Sequence, residues 1–136
     1  MLDFARKKVV KRGWENVILI HDDLCLLSPD LIRKYVGHDL KFDKVIGELA
    51  FSVIPDWKET MQKAIYLLKE SGKIGILDGF RSRKDWLSKV LNFLPQSDIS
   101  RNISTHLNSL TDGYWSKQLG RKRILFIGIG TRKNND

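Results

Sequence analysis

Apolar and polar positions change period along the chain, and each change marks an element. Leu2, Ala5 and Val9 recur at three- and four-residue intervals, the spacing of one helical face, and Gly13 stops the run. Val17 to Ile20 form a short apolar run that predicts a strand ending in His21-Asp22-Asp23. Ser28-Pro29 places a polar cap before a proline suited to the first helical position, and Gly37 closes that helix.

Residues 42–78 predict strand, loop, helix and second strand, one βαβ unit. Asp56 and Glu59 have the spacing of a capping box, and Gly72 stands where a left-handed helix cap is expected. Trp57, Met61, Ala64, Ile65 and Leu68 share one face of the intervening helix, as a helix lying on a sheet requires. The strand segments around Val45-Ile46-Gly47 and Lys73 to Leu77 are continuous rather than alternating, which predicts parallel strands buried on both faces. Beyond them, Ser82 and Asp85 open a helix whose core face is Trp86, Leu87, Val90, Leu91 and Leu94, closed by Pro95. The polar stretch 97–112 fits either a short helix or a long loop. Residues 114–119 and 123–132, joined around Gly120-Arg121, predict an antiparallel hairpin.

The segment FDKVI, its loop, and a helix running into LLKESGKIGILD resemble the fourth and fifth strands of class I S-adenosylmethionine (SAM) dependent methyltransferases. GWENVILIHDDL resembles that family's third strand and the acid after it, and FSVIPDW is most similar to small enzymes that methylate phospholipid amino head groups. The resemblance implies a three-layer, Rossmann-like α/β sheet, truncated at its N-terminus so that the family's opening Gly-x-Gly strand and loop are lacking. It implies one partial methyltransferase domain over 1–136, ending in the antiparallel hairpin. Ile124 to Thr131 superficially matches the Gly-x-Gly strand, but Phe126 stands at the acidic position and too few residues follow for a helix. The segment therefore reads as the terminal strand, its glycines allowing close packing.

The same resemblance implies SAM as cofactor and assigns five residues to it. Asp23 would accept a hydrogen bond from the adenine amino group, and Leu24 would offer its amide to the ring. Glu48, Leu49 and Phe51 would lie beneath the adenosyl and sulfonium groups, with Glu48 also able to hold an amine. The residues alone allow plainer roles: a turn for Asp22-Asp23, core for Leu49 and Phe51, a solvated acid for Glu48. Methyl transfer asks mainly for positioning, so no catalytic dyad is required, and the catalytic residues stay unassigned. His21, His38 and His106 sit in no recognisable constellation, and with the single Cys25 they lack metal-ligand spacing.

Composition adds bounds. The 136 residues suffice for one core burying over ~60% of the unfolded surface. One cysteine excludes an internal disulfide framework and agrees with a reducing cytosol, and no apolar run approaches the ~20 residues that span a bilayer. The expected location is cytoplasmic, with peripheral attachment to a membrane as an extension. The net charge of +8 is clustered at 6–8, 11–12, 81–84 and 121–123. Such clusters are solvated faces by default, and an anionic membrane surface is the next reading. Nothing matches a zinc finger, an RNA-recognition signature or a helix-turn-helix, which counts against nucleic acid. The resulting expectation is methyl transfer to a small-molecule or lipid amine. The rival is a non-catalytic module, dimerising through an exposed strand edge or associating with membranes.

Overall fold

The computed structural model describes residues 2–79, 98, 101–120 and 125–134. Helix α1 spans Leu2–Arg12, and Gly13 ends it with φ +61°. Its predicted face of Leu2, Ala5 and Val9 is the half-covered one, although no residue of α1 is buried. A 3-10 turn, Leu24–Leu26, precedes α2 (Pro29–Val36). Ser28 caps α2 by accepting from the Leu31 amide at 3.1 Å, and Gly37 closes it at φ +86°. Strand β1 (Phe42–Glu48), helix α3 (Trp57–Tyr66) and strand β2 (Leu68–Gly79) form the βαβ unit, with β1 and β2 parallel. Helix α4 (Ile103–Leu110) resolves the ambiguous polar stretch as helix, and β3 (Thr111–Leu119) and β4 (Leu125–Arg132) form the antiparallel hairpin. The sheet order is β1-β2-β4-β3. The helix expected over 82–95 lies outside the described residues.

One face of this sheet carries the core. Ile74 and Ile76 of β2 and Phe126 of β4 are buried against Met61, Ala64 and Ile65 of α3 and Ile103 and Leu107 of α4. Burying each such side chain contributes about 1.5–3 kcal/mol. The opposite face is only partly covered, with Ile46, Ile129 and Trp115 exposed while Leu77 and Ile127 are half-buried, so the expectation of strands buried on both faces is corrected. Ile46, Gly75, Ile129 and Trp115 lie side by side across the four strands. Ile46 is 79% exposed, and a Cβ built on Gly75 would meet nothing within 4 Å.

Three local expectations are also corrected. Val17 to Ile20 form no strand, because no described strand offers that segment a hydrogen-bond ladder. The capping box does not close. Asp56 has φ −92° and ψ 47°, not the extended conformation that aims a capping oxygen, and Glu59 instead pairs with Lys63 at 2.8 Å. Gly72 does not cap α3. The helix stops at Tyr66, and Leu68, expected on its face, instead starts β2 fully buried. Cations replace the glycine there: Lys41 Nζ donates to the Tyr66 carbonyl at 2.6 Å, and Arg132 donates to the carbonyls of Tyr66 and Leu68. Positive charge at the carbonyl end of a helix is favourable on both hydrogen-bond and dipole grounds. The left-handed residue nearby is Ser71, at φ +58°.

The glycines of β4 allow close packing, as expected. A Cβ on Gly130 would sit 2.1 Å from Thr111 Oγ1, and Thr111 is buried and donates to the Leu107 carbonyl at 2.8 Å. Gly130→Ala is expected to cost about 1–3 kcal/mol by overpacking. Gly75→Ala, on the open face, is expected to stay within about 0.5 kcal/mol of the parent. Urea denaturation of the two variants side by side checks this, and equal midpoints would contradict it.

Candidate functional site

Open α/β sheets bind ligands outside the carboxyl ends of their strands, where loop amides and helix N-termini converge. In this chain the loop after β1 occupies that place. Leu49 follows the strand at φ +49°, a conformation seldom taken by a side-chain-bearing residue, and its amide donates to the Leu77 carbonyl of β2 at 2.8 Å. The Ala50 carbonyl then accepts from the amides of Val53 and Ile54, each at 3.1 Å, which folds the loop into a tight turn. Phe51 enters the core beneath Gly47, where an added Cβ would lie 2.7 Å from its ring.

Two residues that sequence reasoning did not single out fasten this loop. Asp78, at the end of β2, is fully buried. Its Oδ2 accepts from the Ser52 amide at 3.1 Å and its Oδ1 from the Gly79 amide at 2.7 Å. Arg101, just before α4, donates from Nη1 to the Phe51 carbonyl at 2.8 Å and also to the Ile54 carbonyl. The Asp98 amide donates to the Ser52 carbonyl at 2.8 Å, and its carboxylate lies 3.6 Å from Arg101 Nε. Hydrogen bonds to charged groups contribute about 1.5–3 kcal/mol each, so the loop is held rigidly. Asp78 left a signal in the sequence, an acid closing the apolar run KIGIL beside a glycine. Arg101 left none.

Of the expected cofactor residues, Glu48, Leu49 and Phe51 are brought together here. Glu48 is exposed at the strand end, Leu49 is 55% exposed, and Phe51 is buried as core. Asp23 and Leu24 belong to the 3-10 turn before α2. Asp23 starts the 3-10 turn, its Oδ1 accepting from the Cys25 amide at 2.9 Å, and the Cys25 carbonyl accepts from Lys63 Nζ at 2.8 Å. Lys63 is in the last turn of α3, whereas the loop after β1 leads into the first.

Asp22 supports the 3-10 turn. Its carboxylate accepts from the Asp23 amide at 2.9 Å and from the Tyr35 hydroxyl at 3.0 Å, with Lys34 Nζ at 3.7 Å. These contacts, the backbone bond foremost, hold its pKa below the ordinary aspartate value. A depressed carboxylate stabilises the fold above its unfolded pKa, and that contribution is lost as pH falls through the folded value. The turn should thus persist on acidification to about pH 4 and loosen below it. Carboxyl-carbon NMR titration is expected to show Asp22 titrating low and moving upward in Tyr35→Phe; an unmoved value would refute the Tyr35 contribution.

His106 packs edge-on against Trp57 with ring centroids 5.2 Å apart, and burial lowers its pKa. Its Nε2 is buried with no hydrogen-bond partner among the described residues, beside a cavity of about 300 Å³ also lined by Lys58, Asn102, Thr105 and Ser109. Among the described residues no group of three or more potential metal ligands occurs.

Comparison with known structures places this architecture. An O-methyltransferase family protein from Burkholderia thailandensis superposes with a TM-score of 0.70 at 18% identity, over 98% of this chain and 41% of that one. The fold is a methyltransferase fold. The S-adenosylmethionine-dependent methyltransferase SibL superposes with a TM-score of 0.69 at 17% identity, again over 98% of this chain and 41% of its own length. The N-methyltransferase NodS from Bradyrhizobium japonicum gives 0.63 at 8% identity, over 96% of this chain and 68% of that one. The chain thus spans about two fifths of the first two relatives. No family model and no curated protein matches its sequence. In methyltransferase terms, β1, α3 and β2 are the parallel unit expected from the sequence, and β3 and β4 are the terminal antiparallel pair.

Proposed function

We propose that this chain is the part of a SAM-dependent methyltransferase that carries the loop beneath the activated methyl group, with a small-molecule or lipid amine as acceptor. The observation that carries this reading is the fastened loop at the carboxyl end of β1. It offers an exposed carboxylate, Glu48, and an exposed apolar side chain, Leu49, on a backbone held by Asp78 and Arg101. That donor set suits a cationic, partly apolar cofactor. Bound SAM supplies an already activated methyl group. The chain's own work is to orient and to exclude water. Glu48 stabilises positive charge beside it, whether on the sulfonium or on an ammonium substrate, and Leu49 covers the adenosyl face. Phe51 holds the loop down from within the core. In this reading Asp23 and Leu24 contact the adenine.

Isothermal titration of the chain with SAM tests the proposal. Saturable binding that weakens in Glu48→Gln is expected. Absence of binding by a folded chain would sink the reading for these 136 residues. In the same titration Asp23→Ala is expected to weaken binding by about 1–3 kcal/mol, the loss of one charged hydrogen bond. Unchanged affinity would leave Asp23 with the Cys25 amide alone.

A further inference from the structure

Helix α1 has two unlike sides. Leu2, Ala5 and Val9 form the half-covered stripe. Phe4, Lys7, Lys8 and Lys11 follow at i, i+3, i+4 and i+7, and so form a second stripe facing away from the first. Val10 and Arg6 border it on one side and Arg12 on the other. Phe4 is 77% exposed and Val10 78%, an unusual display for large apolar side chains on a helix with five cations and a single acid, Asp3. That acid is already paired to Arg6 at 2.9 Å. A shallow groove of about 390 Å³ runs between Phe4, Lys7, Lys8, Lys11 and Arg12. Past the helix end, Arg12 stacks 5.9 Å from the ring centroid of the part-exposed Trp14.

We propose that this stripe docks on an anionic lipid surface, with α1 lying along the membrane plane. Lysine stems are apolar and can lie beside Phe4 and Val10 while their ammonium groups stay among head groups. Phe4 and Val10 then enter the interface, and the cations answer the lipid charge. Single-stranded nucleic acid could use Lys7, Lys8 and a stacked Phe4, but it has no use for an exposed aliphatic side chain such as Val10. Among the described residues no helix is long and apolar enough to cross a bilayer, so the attachment is to the surface. It is independent of cofactor binding.

The test is co-sedimentation of the chain with vesicles of phosphatidylcholine alone or mixed with phosphatidylglycerol. Binding is expected only to the anionic vesicles and should fall as salt rises. Reversing Lys7, Lys8 and Lys11 together to Glu should weaken it roughly 100-fold or more. Phe4→Ser should weaken it several-fold and leave the salt dependence unchanged. A control variant reversing the exposed Lys44, Lys73 and Lys117 alters net charge equally and should keep most of the binding. Circular dichroism confirms that each variant is folded. Equal binding to both vesicle types, equal loss in the control, or tighter binding to polyuridylate than to anionic vesicles would each overturn the proposal.

Discussion

Asp78→Ala is expected to release the loop after β1 and to lower the stability of the chain by about 2–5 kcal/mol, because two buried amides lose their charged acceptor. The side chain is fully buried, so water does not simply take its place at Ser52 and Gly79. Asp78→Asn keeps one carbonyl oxygen and should lose roughly half as much. Hydrogen exchange separates a local effect from a global one. In Asp78→Asn the Ser52 amide should lose protection while amides in the centre of β2 keep theirs. A parent-like denaturation midpoint in Asp78→Ala, with Ser52 still protected, would show that the loop is held without this carboxylate.

Phe126→Ala is expected to cost about 3–5 kcal/mol, the range for truncating a buried aromatic. Phe126 is 2% exposed, faces the core from β4, and stands directly across the ladder from Asp78. Its ring also comes within 3.2 Å of where a Cβ on Gly128 would lie, so the cavity opens beneath a strand with no side chain at that position to fill it. Since Asp78 and Phe126 are cross-strand partners, their effects should not add. A double-mutant cycle is expected to show a coupling of about 0.5–3 kcal/mol. A loss under about 1 kcal/mol for Phe126→Ala alone would mean that the core collapses around the gap.

What could be read from the sequence was what local patterns control. The βαβ unit, the cap at Ser28, the stop at Gly37 and the closing hairpin all follow from periodicity and turn chemistry within short windows. Failures arose where a distant partner decided the outcome. Val17 to Ile20 have strand composition and, among the described residues, no ladder to join. The end of α3 is set by Lys41 and Arg132, which lie 25 and 66 residues from Tyr66, and not by Gly72. The candidate site divides in the same way. The placement of Glu48, Leu49 and Phe51 just after β1 was legible because a strand end is a local landmark. Arg101 reaches the Phe51 carbonyl across 50 positions, and such contacts leave no periodic trace.

The sheet order has a consequence for how this chain is made. Of the four strands, β4 leaves the ribosome last, yet it lies between β2 and β3 and pairs with both. Until it emerges, among the described strands β2 has β1 alone to pair with, and β3 has none. Strand pairing over such separations is slow, and synthesis at ~5–20 residues per second leaves those edges open meanwhile. The link between β2 and β3 therefore waits on translation of Leu125–Arg132.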